Sequence, residues 1–164
     1  MSFKVKVYKN SSFRDHRGFY WTSWKKGAAK NIKFNHDKFS LSKKNVLRGL
    51  HGDKKTWKLV SCPYGKFLIV VVNCEKNSNN YLQWKSWILS HSNGIQLLIP
   101  PNYANAHLCL SDFCLFHYKL FYKGHYFGHQ HQFSIRWNDP SINIKWPIKK
   151  PILSLRDKNS KFII

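Results

Sequence analysis

Four short stretches of this chain carry side chains that can move protons or hold anions. The first is Arg48-Gly49-Leu50-His51, followed by Lys58 at the start of an apolar segment. An imidazole takes a proton near neutral pH, and two cations beside it can hold an anionic substrate or a developing enolate. A surface turn with His51 among solvated Lys and Arg would use the same residues. The second stretch is Phe116-His117-Tyr118-Lys119, where alternation puts Phe116 and Tyr118 on one face. A phenol can donate a proton, although a strand tyrosine commonly just packs its ring and leaves the hydroxyl at the rim. The third, Leu153-Ser154-Leu155-Arg156-Asp157, offers a carboxylate able to orient a histidine through one ring nitrogen. Any carboxylate in that role comes from a short roster: Asp15, Asp37, Asp53, Glu75, Asp112, Asp139 and Asp157. The fourth is His125, His129 and His131; His129 and His131 would share a face if extended, as metal-binding pairs can. Tyr126-Phe127-Gly128 reads as a loop there, and the carboxylate such a metal site would want is not at hand, so no metal is expected.

These side chains need strands to position them. Alternation with a period of two places Phe3, Val5 and Val7 on one face of the opening segment, and Phe133, Ile135 and Trp137 on one face of a late one. Residues 58–62, 67–73, 81–89 and 96–99 are rich in Val, Ile, Leu and aromatics, and residues 108–110 and 113–122 continue the series. Turn residues at 63–65, 77–80 and Asn93-Gly94 divide them. The sole helical expectation is a short one over 21–30 ending near Asn31. Many short strands at roughly ten-residue spacing predict an all-β sandwich or small barrel, a jelly roll among them. No internal repeat, low-complexity linker or composition break divides the chain, so residues 1–164 are expected to form a single domain with a strand-like amino-terminal arm.

At 164 residues, with 43% hydrophobic and 16% aromatic content, the chain is too apolar to be disordered and long enough for a real core. Its longest apolar run, FLIVVV at 67–72, is six residues, far short of the roughly 20 of a membrane helix or the about 7 to 15 of a signal peptide. A soluble, non-secreted protein is expected. Cys62, Cys74, Cys109 and Cys114 show no C-x-x-C spacing and read as free, mostly buried thiols. The net charge of +21 attracts anions. Yet the basic residues run from Lys4 to Lys161 without forming an arm or stripe, and lysine-rich composition also follows from A+T-rich coding, so no specific nucleic-acid partner is expected. The chain has no G-x-G-x-x-G, Walker lysine loop or G-x-S-x-G elbow, which removes the usual support for dinucleotide redox, nucleotide hydrolysis and serine hydrolase chemistry.

Taken in order, the motifs resemble the dTDP-4-dehydrorhamnose 3,5-epimerase family, a cupin jelly-roll family acting on 4-keto nucleotide sugars. Phe13-Arg14-Asp15-His16-Arg17-Gly18-Phe19 resembles the family's F-x-D-x-R-G-F. The stretch from Ser40-Leu41-Ser42 through Arg48-Gly49-Leu50-His51, then Lys58-Leu59-Val60-Ser61-Cys62, Tyr118-Lys119, Trp137-Asn138-Asp139-Pro140, Ile144-Lys145-Trp146-Pro147 and Leu153-Ser154-Leu155-Arg156-Asp157 follow in the family's sequence. Each alone is weak; the ordered set is specific.

The resemblance implies a cofactor-independent, cytoplasmic isomerase that epimerises C3, or both C3 and C5, of a dTDP- or GDP-linked 4-keto sugar for surface polysaccharide. It implies His51 as base, Asp157 as its carboxylate partner, Lys58 near the C4 oxygen and Tyr118 as the proton donor on the opposite face. Arg17, Phe19, His36, Lys38, Arg48, Asn105, His107, Gln132 and Arg156 match substrate-binding positions. Several depart from the pattern. His36-Asp37-Lys38 stands for Gln-Asp-Asn, Thr22 for an acidic residue, and Gln132 and Arg156 for Glu and Lys. Ala104-Asn105-Ala106-His107 stands for A-H-G-F, so Asn105 replaces a histidine; an amide still hydrogen-bonds but carries no full charge. A homodimer is implied, with the amino-terminal strand crossing to the partner and Arg17-Gly18-Phe19 completing the partner's nucleotide pocket. A 3,4-ketoisomerase on the same fold, and a non-catalytic cupin binding sugar nucleotide or anionic polymer, are the alternatives.

Overall fold

The computed structural model describes residues 3–25, 27–29, 32–125 and 128–163, with the side chain of His129 also outside the described part. Twelve strands are described: β1 (Lys6–Lys9), β2 (Ser12–Asp15), β3 (Gly18–Trp21), β4 (His36–Lys43), β5 (Leu47–Gly52), β6 (Trp57–Tyr64), β7 (Lys66–Asn73), β8 (Trp84–Ser90), β9 (Ile95–Ile99), β10 (Tyr103–Cys109), β11 (Phe113–Phe121) and β12 (Phe133–Ser134). A 3-10 turn spans Gly128–His131, and one short helix, α1, spans Leu155–Lys158. Two five-stranded antiparallel sheets, in the orders β1-β9-β6-β11-β4 and β12-β5-β10-β7-β8, make the expected jelly-roll sandwich, and β2 and β3 form a separate hairpin.

The run at 67–72 shows how the sequence builds this arrangement. Phe67, Ile69 and Val71 face the inter-sheet core with Val60, Leu97, Ile99 and Phe116. Val70 and Val72 face the other way, under Ile142, Ile144, Trp146 and Leu153 of the carboxyl-terminal segment. A strand covered on both faces needs no polar alternation, hence the continuous apolar run. Each such side chain contributes about 1.5–3 kcal/mol on burial. The four thiols are free, three of them buried.

Three local expectations are corrected. The opening face holds for Phe3 and Val5, which pack on the core, but Val7 is exposed. From β1 onward Tyr8 is the inward residue, packing with Leu59 and Leu98. The segment expected as a strand from residue 81 starts at Trp84, because residues 77–82 turn and Leu82 takes a positive φ of 62°. The described part of 21–30 contains no helix: Trp21 ends β3, and Trp24 and Ala29 instead pack with Phe34 over Leu59 and Leu98. Lys26, Lys30 and Asn31 lie outside the described residues. No helix is long and apolar enough to cross a membrane among the described residues.

Candidate active site

A cavity of about 440 Å³ opens between the two sheets, and most of the chemically active stretches meet in it. One wall comes from β5 and β10, through Arg48, His51, Asn105 and His107. The opposing sheet supplies Lys38 and Ser40 from β4, Lys58 from β6, and Phe116, Tyr118 and Leu120 from β11. Gln132, Ser154, Arg156 and Asp157 close one end. A larger groove of about 780 Å³ lies elsewhere, lined by residues such as Lys54, Cys74, Glu75 and Tyr81. Burial pushes its Cys74 thiol up to about 11, and Glu75 is occupied by Lys4.

His51 and Asp157, 106 residues apart, are joined by a 2.7 Å hydrogen bond from His51 Nε2 to Asp157 Oδ1. With Nε2–H held there, Nδ1 is the nitrogen that can take a proton. Local sequence fixes the carboxylate. Ser154 caps α1, accepting the Asp157 N–H at 3.1 Å and donating to Asp157 Oδ2 at 2.9 Å. Burial alone would raise the Asp157 carboxyl. Bonds from His51 and Ser154, the facing imidazole charge and the Gly49 N–H outweigh it, and the group sits below its ordinary value. Gly49 is required where it stands: it has φ +122°, and a Cβ there would come 2.6 Å from both Ala106 Cβ and the Asn105 carbonyl. That close approach of β5 to β10 brings Arg48 and His51 beside Asn105 and His107.

Lys58 is 7% exposed. Its Nζ donates to Asn105 Oδ1 at 2.9 Å and to the His51 carbonyl at 3.4 Å. Desolvation lowers its pKa from the lysine value of 10.5; Asp53 opposes this and Arg156 adds to it. Arg48 is fixed by Ser42 Oγ at 3.0 Å and the Leu41 carbonyl at 3.3 Å. Arg156 is fixed by Ser134 Oγ at 2.8 Å and by Gln132 Oε1 at 3.3 Å. Across the cavity Tyr118 packs against Phe116 with ring centroids 5.3 Å apart. Burial raises its phenol above 10.0, with Arg48 pulling the other way.

The other sequence-selected residues are not gathered here. Arg17 pairs with its own Asp15 at 2.6 Å, and Phe19 stacks on His91, so within one chain this hairpin stays away from the cavity. His36 meets the Tyr122 hydroxyl at 2.7 Å and does not line the cavity. Asp37 points outward to His117 and Lys119. Of the fourth stretch, residues 126 and 127 and the side chain of His129 lie outside the described residues. Among the described residues no group of three His, Cys, Asp or Glu is placed to hold a metal. Sequence reasoning missed Ser42, Ser134 and Ser154, the hydroxyls that fix Arg48, Arg156 and Asp157. Two signals were readable: Ser40 and Ser42 share the face of Lys38 by strand alternation, and Ser154 stands three before Asp157 as a helix cap does.

A dyad on one wall, a phenol on the other and a cation between them, set in a jelly roll, define an acid–base isomerase of the cupin type. The comparisons make this specific. The family model for dTDP-4-dehydrorhamnose 3,5-epimerase matches residues 4–163. The enzyme of that name from Shigella flexneri is 34% identical over 97% of this chain and 91% of its own, and that from Salmonella typhimurium is 36% identical over 93% and 87%. A crystal structure of the Legionella pneumophila dTDP-6-deoxy-D-glucose-3,5-epimerase, in complex with dTDP-4-keto-L-rhamnose, superposes with a TM-score of 0.89 at 32% identity over 96% of this chain and 87% of that one. A Bacillus anthracis dTDP-4-dehydrorhamnose 3,5-epimerase structure with TDP and pyrophosphate bound gives 0.90 at 30% identity over 98% and 94%. The chain belongs to the dTDP-4-dehydrorhamnose 3,5-epimerase family.

Proposed function

We propose that this protein epimerises C3, and C5 where the same base reaches it, of a 4-keto nucleotide-diphosphate sugar, supplying sugars for surface polysaccharide. The observation that carries the reading is the placement of the His51–Asp157 pair and Tyr118 on opposing walls of one cavity. Inversion at carbon needs a proton taken from one face and another delivered to the other.

The 4-keto group acidifies the hydrogens on its neighbouring carbons. His51 Nδ1 takes one of them and becomes an imidazolium stabilised by Asp157. The C–H electron pair enters an enolate whose charge settles on the C4 oxygen, beside Lys58 and the Asn105 amide. Tyr118 returns a proton to the same carbon from the opposite face. The tyrosinate then regains a proton and the imidazolium releases one to solvent, so the catalyst ends as it began. Arg48, Arg156 and Lys38 supply positive charge for the diphosphate, and the overall +21 favours its approach.

Residues 1–164 act as one domain, and two copies pair so that Arg17 and Phe19 of each reach the other's cavity. In support, all of β2 is exposed, and Phe39, Leu41, Tyr64 and Phe113 leave apolar surface open on the molecule. Sedimentation equilibrium should read twice the 19.5 kDa chain mass; a monomer at working concentration rejects the pairing.

The function is tested by proton NMR in heavy water with dTDP- and GDP-linked 4-keto-6-deoxy sugars. Loss of the C3 hydrogen is expected. Additional loss at C5 makes the enzyme a 3,5-epimerase, and exchange at C3 alone a mono-epimerase. No exchange with any 4-keto sugar overturns the reading.

A further inference from the structure

β10 presents two uncharged hydrogen-bond donors to the cavity. Asn105 and His107 are two residues apart on a strand in unbroken register with β7, so they share a face about 6–7 Å apart. The Lys58 ammonium only donates, which assigns the Asn105 oxygen toward it and turns the amide N–H₂ away.

His107 is held more tightly. It is 3% exposed and lies flat on Phe116, ring centroids 4.3 Å apart and planes 16° apart. Its Nε2 stands 3.4 Å from Ser42 Oγ. That oxygen accepts the Arg48 Nε–H at 3.0 Å, and because Ser42 is buried and its own proton meets no other acceptor among the described residues, the serine donates that proton to His107 Nε2. The single ring proton of a neutral His107 therefore sits on Nδ1. Burial first, then the charges of Arg48 and His51, push the His107 pKa down to about 3, so the ring is neutral across the working range and too weak a base to take a proton from carbon. Nδ1 meets no described protein group. The one fully enclosed side-chain nitrogen or oxygen without a partner among the described residues is Arg136 Nε. The His107 Nδ1–H is therefore open to the cavity.

We infer that His107 is a specificity-determining residue whose Nδ1–H donates to an oxygen substituent of the sugar. The preferred sugar then carries an oxygen, rather than a deoxygenated carbon or methyl group, where it meets the Phe116–His107 floor. The inference rests on the sugar-nucleotide reading above. A phenylalanine, which the family pattern has at this position, would make that floor apolar. A rigid donor sealed against carbon loses its solvent partner and gains none, and this is what lets a site discriminate between substrates. Held by the Ser42 hydrogen bond and the Phe116 stack, the ring cannot turn away to avoid the mismatch.

Calorimetric titration of wild type, His107→Phe and His107→Asn with dTDP and with dTDP-glucose tests this. His107→Phe keeps the stack and removes the donor; His107→Asn keeps an amide donor near the Nδ1 position. In His107→Phe, dTDP-glucose affinity should fall roughly ten- to hundredfold with dTDP affinity unchanged, and His107→Asn should recover part of the loss. In turnover of the 4-keto sugar the loss should appear in KM, with the shape of the pH profile preserved. Equal dTDP-glucose affinity in wild type and His107→Phe overturns the inference, as does a parallel loss for both ligands or an altered pH profile. Should wild type exchange no hydrogen yet show the predicted binding pattern, the epimerase reading fails and the His107 assignment stands.

Discussion

Neighbouring residues of β11 point to opposite sides of one sheet and have opposite bonding. On the outer side His117 is closed at both nitrogens: Ser61 Oγ is 2.8 Å from Nδ1, and Asp37 meets Nε2. Asp37 also takes Lys119, and Phe39 covers the imidazole face, ring centroids 4.6 Å apart. On the inner side the Tyr118 hydroxyl bonds no described protein group, and His51, Asn105 and His107 each show one bonded and one open position. A Ser, a His and an Asp stand in a hydrogen-bonded row on the outer side, and the row is structural because nothing in it is left to react. Ser61 is wholly buried. Unfilled hydrogen-bonding capacity beside a cavity separates the site from the staple, and residue type alone does not.

The largest test breaks the inner side in two places. His51→Asn and Tyr118→Phe should each fold, and each should lower epimerisation by about 10²–10⁴-fold. They should differ in isotope behaviour. With His51→Asn no hydrogen leaves the substrate, so neither exchange nor inversion is seen. With Tyr118→Phe the base still removes a proton and returns one to the same face, giving exchange with solvent deuterium while inversion is lost. NMR of substrate and product reads both. If both variants kept full activity, the inner assignment would be wrong.

A smaller effect follows from Lys58. Its ammonium must be charged to hold the enolate, and burial lowers its pKa from 10.5. Activity should therefore fall as pH rises through a value below 10.5. Burial also raises Tyr118 above 10.0, so substitution at Lys58 decides which group sets this alkaline limb. Lys58→Arg, charged throughout, should shift the limb upward at a reduced kcat. An unmoved limb would detach Lys58 from the enolate. The stability sign is the reverse of a paired lysine's: between the folded and unfolded values the unfolded chain binds more protons, so stability rises with pH there.

Much of this was legible in sequence because it is local or ordered. Strand alternation placed Phe116 and Tyr118 together, and the motif order pointed to His51, Lys58 and Asp157. The rest depends on chain crossings that spacing does not encode. Nothing near Asp157 says that it reaches His51 across 106 residues. The motif His36-Asp37-Lys38 reads as one unit, but a strand splits it: Lys38 lines the cavity, Asp37 staples the outer face and His36 sits at Tyr122. The aromatic-rich stretch at 21–30 reads as a possible helix, whereas it is spent covering Leu59 and Leu98, a burial that overrides local preference.

The smallest expected effect sharpens the comparison from its outer side. Ser61→Ala removes the hydroxyl at His117 Nδ1 and leaves a buried nitrogen unpaired, which costs about 1–3 kcal/mol. For a chain of this length that lowers Tm by roughly 2–10 °C, while kcat and the pH profile of turnover stay as in wild type. Asp37 adds an acid signature. Burial pushes its carboxyl up, but the Lys119 and His117 bonds outweigh that and leave it below 3.8. The stability it contributes is thus present above that value and lost as pH falls through the folded one. Calorimetric scans at descending pH should show a shallower acid loss for Asp37→Asn than for wild type. A Ser61→Ala variant with normal Tm and depressed kcat would mean that the outer row reaches the reaction through Tyr118's strand, and the division between staple and site would fall with it.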